Sequence, residues 1–129
     1  MKKLVFLVIV SVATAITIAA QHGGKAGPKR IEFAVGRTST TLSTTLGSDE
    51  EMEYVFSARK GQKVTVTNPS TSLFDVRIFS DENNVETEFD SSRTFSITLP
   101  ADGDYNLFVR KKLVKGPRRA RFSITLSIR

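Results

Sequence analysis

The sequence predicts an all-β fold: an antiparallel β-sandwich of about eight strands, preceded by a signal peptide. Three observations predict it. From Ile31 onward apolar residues recur with period two, the spacing of a strand with one buried and one wet face. Clusters of Gly, Pro, Asn and Asp interrupt the alternation at short intervals, with no helical stretch between them. β-Branched and aromatic residues dominate the runs. Such strands form sheets with one dry face each, and two dry faces must stack.

The elements follow in order. Ile31, Phe33 and Val35 alternate with Glu32 and Ala34, and Gly36 closes the run. Leu42 and Leu46 lie two pleats apart in a Thr/Ser-rich stretch. Tyr54, Phe56 and Ala58 form the third strand, and Arg59-Lys60-Gly61-Gln62 turns the chain, Gly supplying the positive φ. Val64 and Val66 form the next strand, stopped by Asn68-Pro69-Ser70. Phe74, Val76 and Ile78 precede the turn cluster Asp81–Asn84. Phe95, Ile97 and Leu99 end at Pro100, and Asp102-Gly103 turns into Tyr105, Leu107 and Val109. Phe122, Ile124, Leu126 and Ile128 close the chain. Phe56, Ile97 and Ile124 are expected in the core, and Thr98 and Ser127 on the wet faces.

At 129 residues the chain fits one domain, and its 40% hydrophobic and 25% charged shares are those of a globular protein. It has no cysteine, which excludes disulfides, thiolate nucleophiles and Cys-based metal centres. The single histidine, His22, excludes a multi-histidine metal site and an HExxH helix, and it sits too close to the N-terminus to serve a serine triad. The acidic stretches Asp49–Glu53 and Asp81–Asp90 fall in or beside loops without calcium-loop spacing. No convergent carboxylate pair of a glycosidase is legible. The chain therefore reads as a non-enzyme that needs no cofactor and no metal.

Lys2 and Lys3, the apolar run Leu4–Val10 and the small residues up to Ala20 are the three parts of a secretory signal peptide, residues 1–20. The alternative is a membrane anchor. The uncharged run of 17 residues is at the lower edge of a spanning helix, and no charged cluster follows at once. Cleavage near Ala20 leaves a periplasmic or secreted protein with no stable membrane anchor. Residues 21–28, QHGGKAGP, read as a flexible lead-in to a domain spanning 29–129.

Charge is uneven in the exported part. Arg110 to Arg121 carries seven basic residues and no acid, whereas Gln21 to Val109 has 9 basic and 13 acidic residues. This basic segment joins the last two strands around Gly116-Pro117, and Leu113 and Val114 lie near its tip between Lys112 and Lys115. Two readings stand. A lysine-rich hairpin protects a sheet edge, or like charges at this density are relieved by an anionic partner. Nucleic acid is not the expected anion, because no aromatic platform alternates with the cations. Envelope polyanions, acidic glycans and the acidic cleft of a protein remain.

Two stretches carry a family resemblance. Tyr54-Val55-Phe56-Ser57-Ala58-Arg59-Lys60-Gly61-Gln62-Lys63-Val64-Thr65-Val66 is an aromatic strand, a Lys-Gly-Gln turn and a valine strand. Leu99-Pro100-Ala101-Asp102-Gly103-Asp104-Tyr105 leads into a strand. Together with Ile31-Glu32-Phe33 they resemble the bacterial pre-peptidase C-terminal-like β-sandwich group, and within it the periplasmic inhibitors of goose-type lysozyme. The resemblance implies a goose-type lysozyme as protein partner, with the cleft blocked by loops that include a basic one before the last strand. By position and charge, that loop corresponds to Lys111–Arg119. The correspondence is not residue by residue; within the loop the candidate contacts are Lys111, Lys112, Leu113, Lys115, Arg118 and Arg119, and the matching Gly-x-Tyr element adds Tyr105. Tyr105 has a second reading as a core tyrosine that anchors a turn. The turn Ser48-Asp49-Glu50-Glu51-Met52 is acidic where the family's is aromatic-rich. The alternative function is a β-sandwich module that binds envelope polyanions or glycans without inhibiting an enzyme.

Overall fold

The computed structural model describes residues 27–129; the expected signal peptide and residues 21–26 of the lead-in lie outside them. Nine strands follow in order: β1 (Lys29–Arg30), β2 (Ser39–Gly47), β3 (Glu51–Ala58), β4 (Lys63–Thr67), β5 (Phe74–Ser80), β6 (Val85–Glu86), β7 (Thr94–Thr98), β8 (Gly103–Lys111) and β9 (Arg119–Ile128). One sheet has the order β1-β3-β8-β5-β6 and the other β2-β9-β4-β7. All pairings are antiparallel except the two-residue contact of β1 with β3. The all-β sandwich is therefore the fold.

Two differences from the sequence reading concern strand ends. The run Ile31–Val35 is not a strand. Ile31 still donates to Val55 O and is buried, but Gly36 takes φ 79° and Arg37 N closes a turn on Ala34 O at 2.9 Å. That turn lifts Val35 wholly into solvent. Conversely, the cluster at Asp81–Asn84 is followed by the short β6, whose Val85 is buried.

The core forms where the two dry faces meet. Phe56 and Tyr105 stack with centroids 5.8 Å apart, and Phe122 meets Phe74 and Tyr54 edge-on. Phe56 and Ile124 are fully buried as their alternation requires. Ile97 is only half-buried, because β7 is an edge strand paired with β4 alone.

The two motif stretches are hydrogen-bonded to each other at one end of the sandwich. Gly61 N donates to Leu99 O and Leu99 N to Gln62 O, both at 2.8 Å, while Lys60 N donates to Asp102 Oδ1 at 2.8 Å. Gly103 sits at φ 144°, a backbone conformation that other residues rarely adopt, so a side chain there would be strained. At the opposite end lie the β2–β3 turn, the β4–β5 loop and the β8–β9 hairpin.

Candidate functional site: the basic hairpin

Strand alternation decides which basic side chains leave the scaffold. Along β8 the inward positions are Tyr105, Leu107, Val109 and then Lys111; Phe108 and Arg110 face outward. Arg110 is fixed there. Its Nη2 lies 2.7 Å from Asp75 Oδ2 and its Nε 3.1 Å from Asp75 Oδ1, a bidentate pair. Its guanidinium lies 3.8 Å from the centroid of Phe89. Hydrogen bonding to Asp75 holds its pKa above the usual arginine value, against opposing desolvation.

Lys111, expected at the contact surface, points into the scaffold rather than toward solvent. Its side chain is fully buried, continuing the inward alternation, and its Nζ donates to Lys112 O at 3.1 Å. Tyr105 is also fully buried. Its hydroxyl donates to Ala101 O at 2.5 Å and accepts from Ala101 N at 3.3 Å, so it anchors the turn before β8. Lys112 is half-buried: Nζ donates to Thr71 O and Ser91 Oγ, and its amide to Leu73 O. It pins the neck of the hairpin to the neighbouring loops.

Beyond Lys112 the hairpin is exposed. Leu113 is 73% and Val114 40% accessible, the only exposed large apolar residues among those described besides Val35. Lys115, Arg118, Arg119 and Arg121 are exposed and form no ion pair among the described residues. Gly116, at φ 131°, makes the apex before Pro117. Arg119 and Arg121, two apart on β9, share the outer face of the four-stranded sheet, so a cationic stripe runs from the tip onto that face. Arg121 was not among the expected contacts, although alternation back from the buried Phe122 places it on the exposed face.

The acidic turn is stitched to both arms of this hairpin. Ser48 N donates to Arg118 O at 2.9 Å, Asp49 N to Lys111 O at 3.0 Å, and Lys111 N to Glu50 O at 3.0 Å. Asp49 adopts φ 66° to make the bend. Glu50 Oε1 caps the amide of Gly47. Glu51 lies opposite Arg110 in the β3–β8 ladder and helps hold that guanidinium charged. Two of the three acids are thus engaged with the scaffold.

The site is an exposed apolar pair near the tip of a braced hairpin, with cations that form no ion pair among the described residues running from the tip onto the sheet face. It contains no nucleophile–base pair, and no group of three metal-ligating side chains comes together among the described residues.

No protein-family model matches the chain, and no curated protein matches it in sequence. Solved structures do. The crystal structure of Salmonella Typhimurium PliG, a periplasmic inhibitor of g-type lysozyme, shares 27% identity at a TM-score of 0.64, covering 81% of this chain and 100% of that one. A mutant of the Escherichia coli PliG inhibitor gives 25% identity and a TM-score of 0.61 with 81% and 100% coverage. The chain is similar in fold and sequence to these inhibitors. The pre-peptidase C-terminal domain of Bacillus anthracis collagenase, 16% identical with a TM-score of 0.53 over 84% of this chain and 100% of that domain, shares the fold. The resemblance read from the Lys-Gly-Gln and Gly-x-Tyr stretches is therefore to the same group as these solved structures.

Proposed function

We propose that the chain is an exported, non-enzymatic inhibitor of goose-type lysozyme that blocks the enzyme's cleft with the tip of the β8–β9 hairpin. The observation that carries this reading is the set of four exposed cations, without ion pairs among the described residues, that run from the tip bearing Leu113 and Val114 onto β9, on a sandwich similar to PliG. A glycosidase cleft presents ionised carboxylate beside a raised-pKa acid. A guanidinium about 4 Å from such a carboxylate gains roughly 4 kcal/mol gross at an effective dielectric of 20, less desolvation. Arg118 and Arg119, just after the Gly116-Pro117 apex, make that contact. Leu113 packs on the cleft wall, and Lys115 steers the approach. Lys112 supports the neck, while Lys111 and Tyr105 hold the scaffold. Export to the periplasm agrees with the location of the PliG proteins.

A second reading rests on the same four cations, which carry no carboxylate of their own and would suit any polyanion. The two separate in one experiment. An inhibitor stops lysis of cell walls by goose-type lysozyme at a 1:1 ratio and co-elutes with the enzyme. A polyanion-binding module binds purified wall or lipopolysaccharide with no enzyme present and leaves lysis unchanged.

A further inference from the structure

β2 ends the four-stranded sheet, and its outer edge is bare. It pairs with β9 over all nine residues without a bulge, and no other described strand lies beside it. The ladder fixes which backbone groups are unused. Thr38 O accepts from Ile128 N and Ser48 N donates to Arg118 O, so even-numbered residues bond to β9. Odd-numbered residues then point their N–H and C=O groups away from β9. Gly47 N is capped by Glu50. Ser39, Thr41, Ser43 and Thr45 make no backbone hydrogen bond outside the sheet among the described residues. Exposed edges are usually blunted by charge, proline, bulges or brevity. Of the other edge strands β1 and β6 are two residues long and β7 five, whereas β2 has nine residues, no charge and no proline.

We infer that this edge is a homodimer interface, in which β2 of one copy pairs antiparallel with β2 of a second copy about a two-fold axis at Leu42. The register is dictated by the free groups. Pairing Ser39 with Thr45 and Thr41 with Ser43 of the second copy uses every free N–H and C=O on both strands. A shift of two residues in either direction leaves a residue of each strand unmatched. Ser and Thr across the join bring no like charges together. At each end Arg37, exposed and in no ion pair among the described residues, comes opposite Gly47 of the second copy, where the Glu50 carboxylate sits. That complementarity occurs twice by symmetry. The inward side chain at the axis is Leu42, and beside it lies a groove of about 340 Å³ between β2 and residues 29–32, lined also by Ile31 and Tyr54. The second Leu42 faces that groove. Because the strands run antiparallel, the two basic hairpins lie at opposite ends of the joined sheet, and both stay free.

Cross-linking tests the register directly, since the chain has no cysteine. At the axis, Leu42→Cys places two Cα atoms about 4.5 Å apart, within disulfide reach. Thr44→Cys places them about four residues apart along the strands, roughly 13 Å, out of reach. With the protein expressed from its full chain, oxidation is expected to convert Leu42→Cys, but not Thr44→Cys, to a covalent dimer. Sedimentation of the unsubstituted protein is expected to show a reversible dimer. Ser43→Pro removes an amide that β9 does not use, so the fold survives while the dimer dissociation constant rises at least about tenfold. A monomer at millimolar concentration, equal cross-linking at both positions, or a Ser43→Pro dimer of unchanged affinity would overturn the inference. So would a β2 edge protected from amide exchange only when a different protein is added.

Discussion

Lys111 and Asp104 show how one residue's position in the pleat decides its work. Lys111 lies on the inward face, and its ammonium has a single carbonyl as partner. Burying such a group costs free energy that its one hydrogen bond only partly offsets. Lys111→Met is expected to leave stability unchanged or raise it by about 1 kcal/mol, read by denaturant unfolding, with lysozyme inhibition intact. Loss of inhibition with the fold intact would return Lys111 to the contact surface. Asp104 faces outward and accepts from Arg30 and Ser57, which hold its carboxyl below the ordinary 3.8. A depressed carboxyl stabilises the fold above its unfolded-state pKa, and that contribution fades as pH falls through the folded value. Asp104→Asn is therefore expected to lower Tm at pH 6 and to match the unsubstituted protein at pH 2. A gap of constant size across that range would contradict the assignment. The inward position of Lys111 was legible, since it continues Tyr105, Leu107 and Val109. Its basic character points the other way, to the contact loop, and the alternation prevails.

At the scale of elements, period two located the strands and chain punctuation located most of their ends. It failed where a short run met a positive-φ glycine: Ile31–Val35 alternates like a strand, yet the turn at Gly36 bends it away. Alternation also says nothing about which strand ends a sheet. Ile97 repeats the pattern of Ile124, but β7 is an edge and β9 lies between β2 and β4. Phe56→Ala is accordingly expected to cost about 3–5 kcal/mol, and Ile97→Ala under about 2 kcal/mol, by chemical denaturation. Equal losses would mean that β7 is covered in solution. The bracing of the hairpin by the acidic turn was not legible, because it depends on backbone hydrogen bonds between segments far apart in the chain, residues 48–50 with Lys111 and Arg118. The sequence alone shows only that this turn is acidic where the family's is aromatic-rich. The structure ties Glu50 to the Gly47 amide and places Glu51 opposite Arg110.

Across the whole molecule, charge is gathered at the hairpin. Its exposed cations project a field that decays over about 8 Å at physiological salt, enough to orient an approaching anionic surface but not to hold it. Lys115→Ala is expected to lower the association rate with lysozyme and flatten its dependence on salt, leaving dissociation nearly unchanged; stopped-flow kinetics between low and physiological salt reads both. A change confined to dissociation would make Lys115 a contact instead.

The central claim, that the hairpin tip is the inhibitory contact, is tested most directly by the double variant Arg118→Ala, Arg119→Ala. Both side chains are exposed and without ion pairs among the described residues, so their removal leaves the fold and its stability in place. The measurement is inhibition of cell-wall lysis by goose-type lysozyme, together with the dissociation rate of the complex. The account predicts at least roughly a hundredfold faster dissociation and a matching loss of inhibition, the scale of truncating desolvated interfacial charges. Inhibition by the double variant equal to that of the unsubstituted protein would contradict it and reduce the hairpin to a charged sheet edge.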